Sequence, residues 1–159
     1  VGERTMPEVL RDLLLERNET ISYAESCTGG LAGAQLTEFP GASAVFRGTV
    51  VAYANQVKQD LLKVDPAVIT GDGAVSSACA VAMATGCRDL MKSDWAVAIT
   101  GIAGPEGGSA EKPVGLVWLA VAGPDGTESL SLQLGGNRAR IRKVAALNAH
   151  NLVRRHLLQ

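Results

Sequence analysis

The chain has 159 residues, 47% of them apolar, with 15 Lys or Arg against 16 Asp or Glu for a formal net charge of −1. That length supports one domain with a sizeable core, and the near-neutral charge gives no basic field that would favour nucleic acid. No apolar run approaches the roughly 18 residues of a membrane span, and Val1–Asn18 is charged throughout rather than patterned as a signal peptide.

Residue 1 is Val, so a piece trimmed from something longer is expected. Met6, Val9, Leu10, Leu13 and Leu14 fall at helical spacing and predict an amphipathic first helix. Thr20–Ala24 is a short strand candidate. The turn Glu25-Ser26-Cys27-Thr28-Gly29-Gly30 follows, then a helical pattern to about Phe39. Strand, Ser/Thr/Gly turn and helix can present backbone N–H groups to an anion. The same pattern also fits a plain helix cap by Ser26 or Thr28.

Pro40-Gly41 ends that helix. Phe46–Tyr53, rich in Val, Thr and aromatics, predicts a strand. Asn55–Lys63 predicts a short helix with Lys58 in its first turn. There the positive end of the dipole favours a neutral lysine, although a solvated surface position is the usual one for Lys. Asp65–Val75 is expected to be a loop. Ser76–Met91, with Ala, Val and Met on most faces, predicts a buried helix. Asp94–Thr100 predicts a strand that ends in the glycine-rich loop Gly101–Ser109, either a cleft wall or a flexible connector. Val114–Ala122 and Glu128–Leu134, joined through Pro124-Asp125-Gly126, predict an antiparallel hairpin at one end of an otherwise parallel sheet. The last helix is expected from about Asn137 to Leu158, with Ile141, Val144, Ala145 and Leu152 facing inward. Arg138, Arg140, Arg142 and Lys143 crowd its first turns, where cations oppose the helix dipole. A bound phosphate would account for them; so would a solvated basic face.

The three cysteines, Cys27, Cys79 and Cys87, have no CxxC spacing, which points away from a disulfide framework and towards a cytosolic setting. His150 and His156 are the only histidines, and no carboxylate follows Glu128, so no metal site is expected. No GxGxxG follows the first strand, which weighs against a Rossmann-type dinucleotide domain.

AESCTGG at Ala24–Gly30, GASAVFRGTVVAYANQVK at Gly41–Lys58, GAVS at Gly73–Ser76 and TGIAGPEGGSAEKPVGLVW at Thr100–Trp118 together resemble the CinA C-terminal domain family. The best-characterised activity of that family is nicotinamide-nucleotide amidohydrolase. The resemblance covers nearly the whole chain in the right order. It implies an α/β fold, a three-layer α/β/α sandwich with a mixed, mostly parallel sheet, in a single domain over 1–159. It also implies hydrolysis of the carboxamide of nicotinamide mononucleotide to nicotinic acid mononucleotide and ammonia, in the style of a serine amidase without cofactor or metal. The matching positions are Ser43 as nucleophile and Lys58 as general base, with Tyr53 assisting proton transfer or orientation. Ser26, Thr28, Gly29, Gly30, Asn55, Thr100, Gly101 and Gly104 would line the substrate pocket. An arginine among Arg138, Arg140 and Arg142 would hold the 5′-phosphate. The expected partners are the nucleotide substrate and other copies of the chain in a homodimer or larger homo-oligomer, with neither nucleic acid nor membrane.

A serine hydroxyl needs an adjacent base, and lysine serves only when its pKa falls below about 10.4. Ser43 and Tyr53 are ten residues apart, about 33 Å if fully extended. A straight strand between them would keep Ser43 from Lys58. Either the strand is shorter, or the two meet across an oligomer, or the nucleophile is Ser26, with Cys27 as a third candidate. A non-catalytic nucleotide-binding module is the competing function; it needs the glycine loops and arginines but neither Ser43 nor Lys58.

Overall fold

A computed structural model describes residues 3–159. Thr5 caps the first helix, α1 (Met6–Arg17), in a reciprocal capping box with Glu8. The apolar spacing turns Leu10 and Leu14 fully inward. Next come β1 (Ile21–Glu25), buried at every position, and α2 (Leu31–Thr37). A single 3₁₀ turn, Ala42–Ala44, leads into β2 (Phe46–Val51). The helices α3 (Asn55–Leu62), α4 (Pro66–Gly71) and α5 (Ser77–Met91) follow. The chain ends with β3 (Trp95–Gly101), β4 (Leu116–Gly123), β5 (Gly126–Gln133) and α6 (Arg138–Leu157).

The five strands form one sheet in the order β2-β1-β3-β4-β5. The pairs β1–β2 and β1–β3 are parallel, and β3–β4 and β4–β5 are antiparallel. Four strands therefore point one way and β4 alone runs against them. One core lies between the sheet and α1, α2 and α6, built on Leu14, Tyr23, Ile99, Leu119, Ile141 and Leu152. The other lies between the sheet and α3 and α5, where Ala24, Leu62, Met83, Ala98 and Ala120 pack. These two cores make the sandwich.

Several expectations shift in detail. The segment expected as a loop over Asp65–Val75 contains α4, with Asp65 accepting from Ala67 N at 2.9 Å and Pro66 opening the helix. The β2 strand stops at Val51, before Tyr53. The hairpin loop shrinks to Pro124-Asp125, because Gly123 and Gly126 pair as the last rung. On α6, Val144 is half-buried while Ala149 and His150 join Ile141, Ala145 and Leu152 inside.

The spacing of α3 against α5 matters for the site. A Cβ added to Gly86 of α5 would sit 1.8 Å from the Leu62 carbonyl oxygen at the end of α3. Glycine there permits the close approach that holds α3, and Lys58 with it, against α5.

Candidate active site

The parallel strands β2, β1 and β3 lie side by side, so their carboxyl ends open into one place, where ligands of open α/β sheets bind. Ser26 follows the last residue of β1, and its N–H donates to Ile99 O of β3 at 2.9 Å. Lys58 reaches in from α3 and is 1% exposed. Its Nζ donates to Ser26 Oγ at 3.0 Å and to the Tyr53 carbonyl oxygen at 2.9 Å. Among the described residues no carboxylate pairs with it. Burial lowers the Lys58 pKa from its ordinary value, partly offset by the neighbouring thiols Cys79 and Cys27. A buried lysine without a counter-charge, hydrogen-bonded to a hydroxyl, is the arrangement that makes an amine into a base.

These two residues border a cleft of about 250 Å³. Asn55 and Tyr53 line one side; Thr100, Gly101 and Gly104 line the other. The Thr100 hydroxyl donates to Ala74 O at 2.8 Å, fastening the end of β3 to the segment before α5. Arg138 closes the cleft. Its Nη1 donates to Gly104 O at 2.8 Å and its Nη2 to Tyr53 Oη at 3.3 Å. Tyr53 is 60% exposed, at the rim. Cys27, the third candidate nucleophile, and Glu106, of the glycine-rich loop after β3, also line the cleft. Burial pushes the Cys27 thiol up to about 11, so it stays protonated at neutral pH, and the Lys58 amine is hydrogen-bonded to the Ser26 hydroxyl rather than to this thiol.

The structure does not bring Ser43 to this place. Ser43 is exposed, in the 3₁₀ turn before β2, and Phe46 pairs with Ile21 at the amino ends of the strands. The six residues of β2 separate it from the carboxyl ends by roughly 20 Å at about 3.3 Å per residue. Within one chain the straight strand does keep Ser43 from Lys58, and Lys58 meets Ser26 instead.

The glycine turn also departs from expectation. Thr28, Gly29 and Gly30 do not line the cleft. Neither Ser26 nor Thr28 caps α2. The buried Glu25 carboxylate does so from inside, accepting from Thr28 Oγ1 at 2.6 Å, Ala32 N at 2.9 Å and Gly33 N at 3.0 Å. An internal anion thus occupies the helix start, the place where this turn could present its N–H groups to an external one. The three arginines divide as well. Only Arg138 lines the cleft; Arg140 donates to Gly135 O, and Arg142 donates to Cys27 O and Thr28 O.

A larger groove of about 610 Å³ lies elsewhere, between α1, α2 and α6, walled by Met6, Pro7, Phe39 and Leu147. It holds no nucleophile beside a base, so the chemistry points to the smaller cleft. Among the described residues no group of three His, Cys, Asp or Glu side chains could hold a metal ion, and no helix is long and apolar enough to cross a membrane.

Comparison with known proteins agrees with this architecture. The family model described as the CinA C-terminal domain matches residues 3–157. A CinA-like protein of Synechococcus sp. (strain RCC307) is 51% identical over 155 residues, covering 96% of this chain and 37% of the relative. A CinA-like protein of Fervidobacterium nodosum is 44% identical over 159 residues, covering 100% of this chain and 39% of the relative. The chain therefore spans under two-fifths of the length of these relatives. Among solved structures, the competence/damage inducible protein CihA from Agrobacterium tumefaciens superposes with a TM-score of 0.92 at 39% identity, covering 100% of this chain and 99% of that one. A CinA superfamily protein from Klebsiella pneumoniae superposes with a TM-score of 0.93 at 31% identity, covering 96% of each chain.

Proposed function

The chain belongs to the CinA C-terminal domain family, and from that premise we propose that it is an amidohydrolase that converts nicotinamide mononucleotide to nicotinic acid mononucleotide and ammonia. The observation that carries this is the 3.0 Å contact between the Ser26 hydroxyl and the buried Lys58 amine, which has no carboxylate partner among the described residues.

In the proposed mechanism neutral Lys58 takes the Ser26 proton as Oγ attacks the carboxamide carbon. The Tyr53 carbonyl, accepting an N–H of Lys58, keeps the amine lone pair turned to the serine. A C–O bond forms and the carbonyl becomes an oxyanion. The Cys27 N–H, next to the nucleophile at the cleft wall, is the proposed donor to it. The Lys58 ammonium then gives its proton to the leaving nitrogen, the C–N bond breaks and ammonia departs. Water, deprotonated by Lys58, attacks the ester, and Ser26 recovers its proton as the carboxylate leaves. Arg138, whose partners are a carbonyl and a phenol rather than a carboxylate, is free to turn its charge to the 5′-phosphate.

The test is ammonia release from nicotinamide mononucleotide by the purified chain, beside Lys58→Met. Turnover by the parent and none by the folded variant is expected. Nucleotide binding by both, with no ammonia from either, would instead make the chain a non-catalytic binding module.

A further inference from the structure

Arg142 does not face the cleft, yet it is tied to the nucleophile turn. From the second turn of α6 its Nε donates to Cys27 O at 3.1 Å and its Nη2 to Thr28 O at 2.9 Å. These are the two carbonyls immediately after Ser26. The Ser26 carbonyl is held separately by Gly29 N at 3.0 Å. Every carbonyl from 26 to 28 therefore has a fixed donor. Peptide units are planar, so fixing a carbonyl fixes the N–H of the next residue on the opposite side. The Cys27 N–H is thereby oriented by the Ser26–Gly29 bond, and the peptide that follows it by Arg142. The guanidinium is a rigid planar fork, so it sets two successive peptide planes together, which a single-point ammonium cannot do. Gly29, at φ +60°, gives the room: a Cβ there would lie 3.3 Å from Arg142 Nη2. Ser26 is thus held between Lys58, from the α3 side of the sheet, and a turn braced by Arg142 from the α6 side.

On this geometry, and resting on Ser26 as the nucleophile, we infer that Arg142 is a positioning residue for the reaction and not a phosphate ligand. It acts through the Ser26–Thr28 turn, setting where Ser26 Oγ sits against Lys58 and, through the Thr28–Gly29 peptide whose N–H holds the Ser26 carbonyl, where the Cys27 N–H points. The basic start of α6 is then accounted for by internal carbonyls at Arg140 and Arg142, leaving Arg138 for the substrate.

Two measurements test this, one without the natural substrate. The rate at which a fluorophosphonate labels Ser26 reads the nucleophile directly. Arg142→Ala should slow labelling by roughly tenfold to a hundredfold, the scale expected for about 1 Å of misplacement. Arg142→Lys should recover little, and methylguanidinium added to Arg142→Ala should restore the rate. Steady-state turnover of nicotinamide mononucleotide should show the same fall in kcat with KM within about twofold, whereas Arg138→Ala should raise KM about tenfold or more. Labelling of Arg142→Ala at the parent rate, with only a lowered melting temperature, would overturn the inference. So would a rise in KM with kcat intact. Failure of the underlying proposal shows differently: a parent that is labelled at a residue other than Ser26, or a Ser26→Ala variant that still turns over.

Discussion

His150 offers a quantitative test of the core that carries the site. It is fully buried on α6, with Nε2 2.9 Å from Gln35 Oε1 and Nδ1 2.9 Å from Tyr23 Oη. An amide oxygen only accepts, so Nε2 carries the proton and Nδ1 accepts from the tyrosine hydroxyl. The neutral ring is satisfied on both sides. A second proton would place a donor against Tyr23, in a site with no counter-charge. Burial accordingly pushes the His150 pKa down from 6.5 to about 4. The unfolded chain takes up this proton below pH 6.5 and the folded chain does not, so stability is complete above that pH and is lost as pH falls towards 4. At 1.36 kcal/mol per unit the loss comes to about 3 kcal/mol, of which about 2 kcal/mol falls between pH 7.5 and 5, above most carboxylate titrations. Urea unfolding at steps across that range, for the parent and for His150→Asn, isolates this contribution. The parent should lose about 2 kcal/mol more than the variant over that interval. Parallel pH curves, or a ring titration near pH 6.5 followed by NMR in the folded protein, would refute the reasoning.

Lys58 carries a consequence for activity, at higher pH. Its lowered pKa means that kcat/KM should rise with pH through that pKa and level off before the ordinary lysine value of about 10.4; a profile flat across the alkaline range would remove Lys58 as the base. The unfolded chain holds the lysine proton where the folded chain has released it. Stability should therefore also rise with pH between the two values, and Lys58→Met should abolish that rise in denaturant titrations. Gly86→Ala drives a methyl into the Leu62 carbonyl, so it should cost about 3 kcal/mol and lower kcat by displacing α3. Glu25→Gln turns an acceptor into a donor facing backbone N–H groups or the Thr28 hydroxyl. It should cost about 2–3 kcal/mol in urea unfolding, as for a buried hydrogen bond to a charged group.

Much of this architecture was legible in the sequence, and the exceptions have physical causes. The first helix, the hairpin and the last helix follow from apolar periodicity and turn chemistry that act locally. The glycine-rich loop after β3 could be placed at a cleft because loops beyond strand ends collect at one edge of such a sheet. The helix α4 was announced by Asp65-Pro66, an N-cap followed by a first-turn proline, and could have been found from that pair. The choice of serine was harder. Ser43 is nearer to Lys58 in sequence, but β1 pairs between β2 and β3, and parallel pairing puts Ser26 beside Lys58 across 32 positions. The role of Glu25 was hidden because a carboxylate next to a Ser/Thr/Gly turn reads as exposed until the turn folds over it. The arginines could not be told apart for a similar reason. Helical spacing gives the face on which they lie, but the partners are backbone carbonyls that only the tertiary fold brings near.

The most direct measurement is ammonia release from nicotinamide mononucleotide by Ser26→Ala and Ser43→Ala, side by side with the parent and with folding checked by melting. Loss of a nucleophile that acts as a unit with its base should cut kcat about 10⁴-fold or more. The Ser26–Lys58 geometry predicts that loss for Ser26→Ala, with Ser43→Ala staying within about twofold of the parent, the margin for an exposed residue outside the cleft. Full activity in Ser26→Ala, with activity lost in Ser43→Ala, would contradict the account and move the reaction to a site shared between chains.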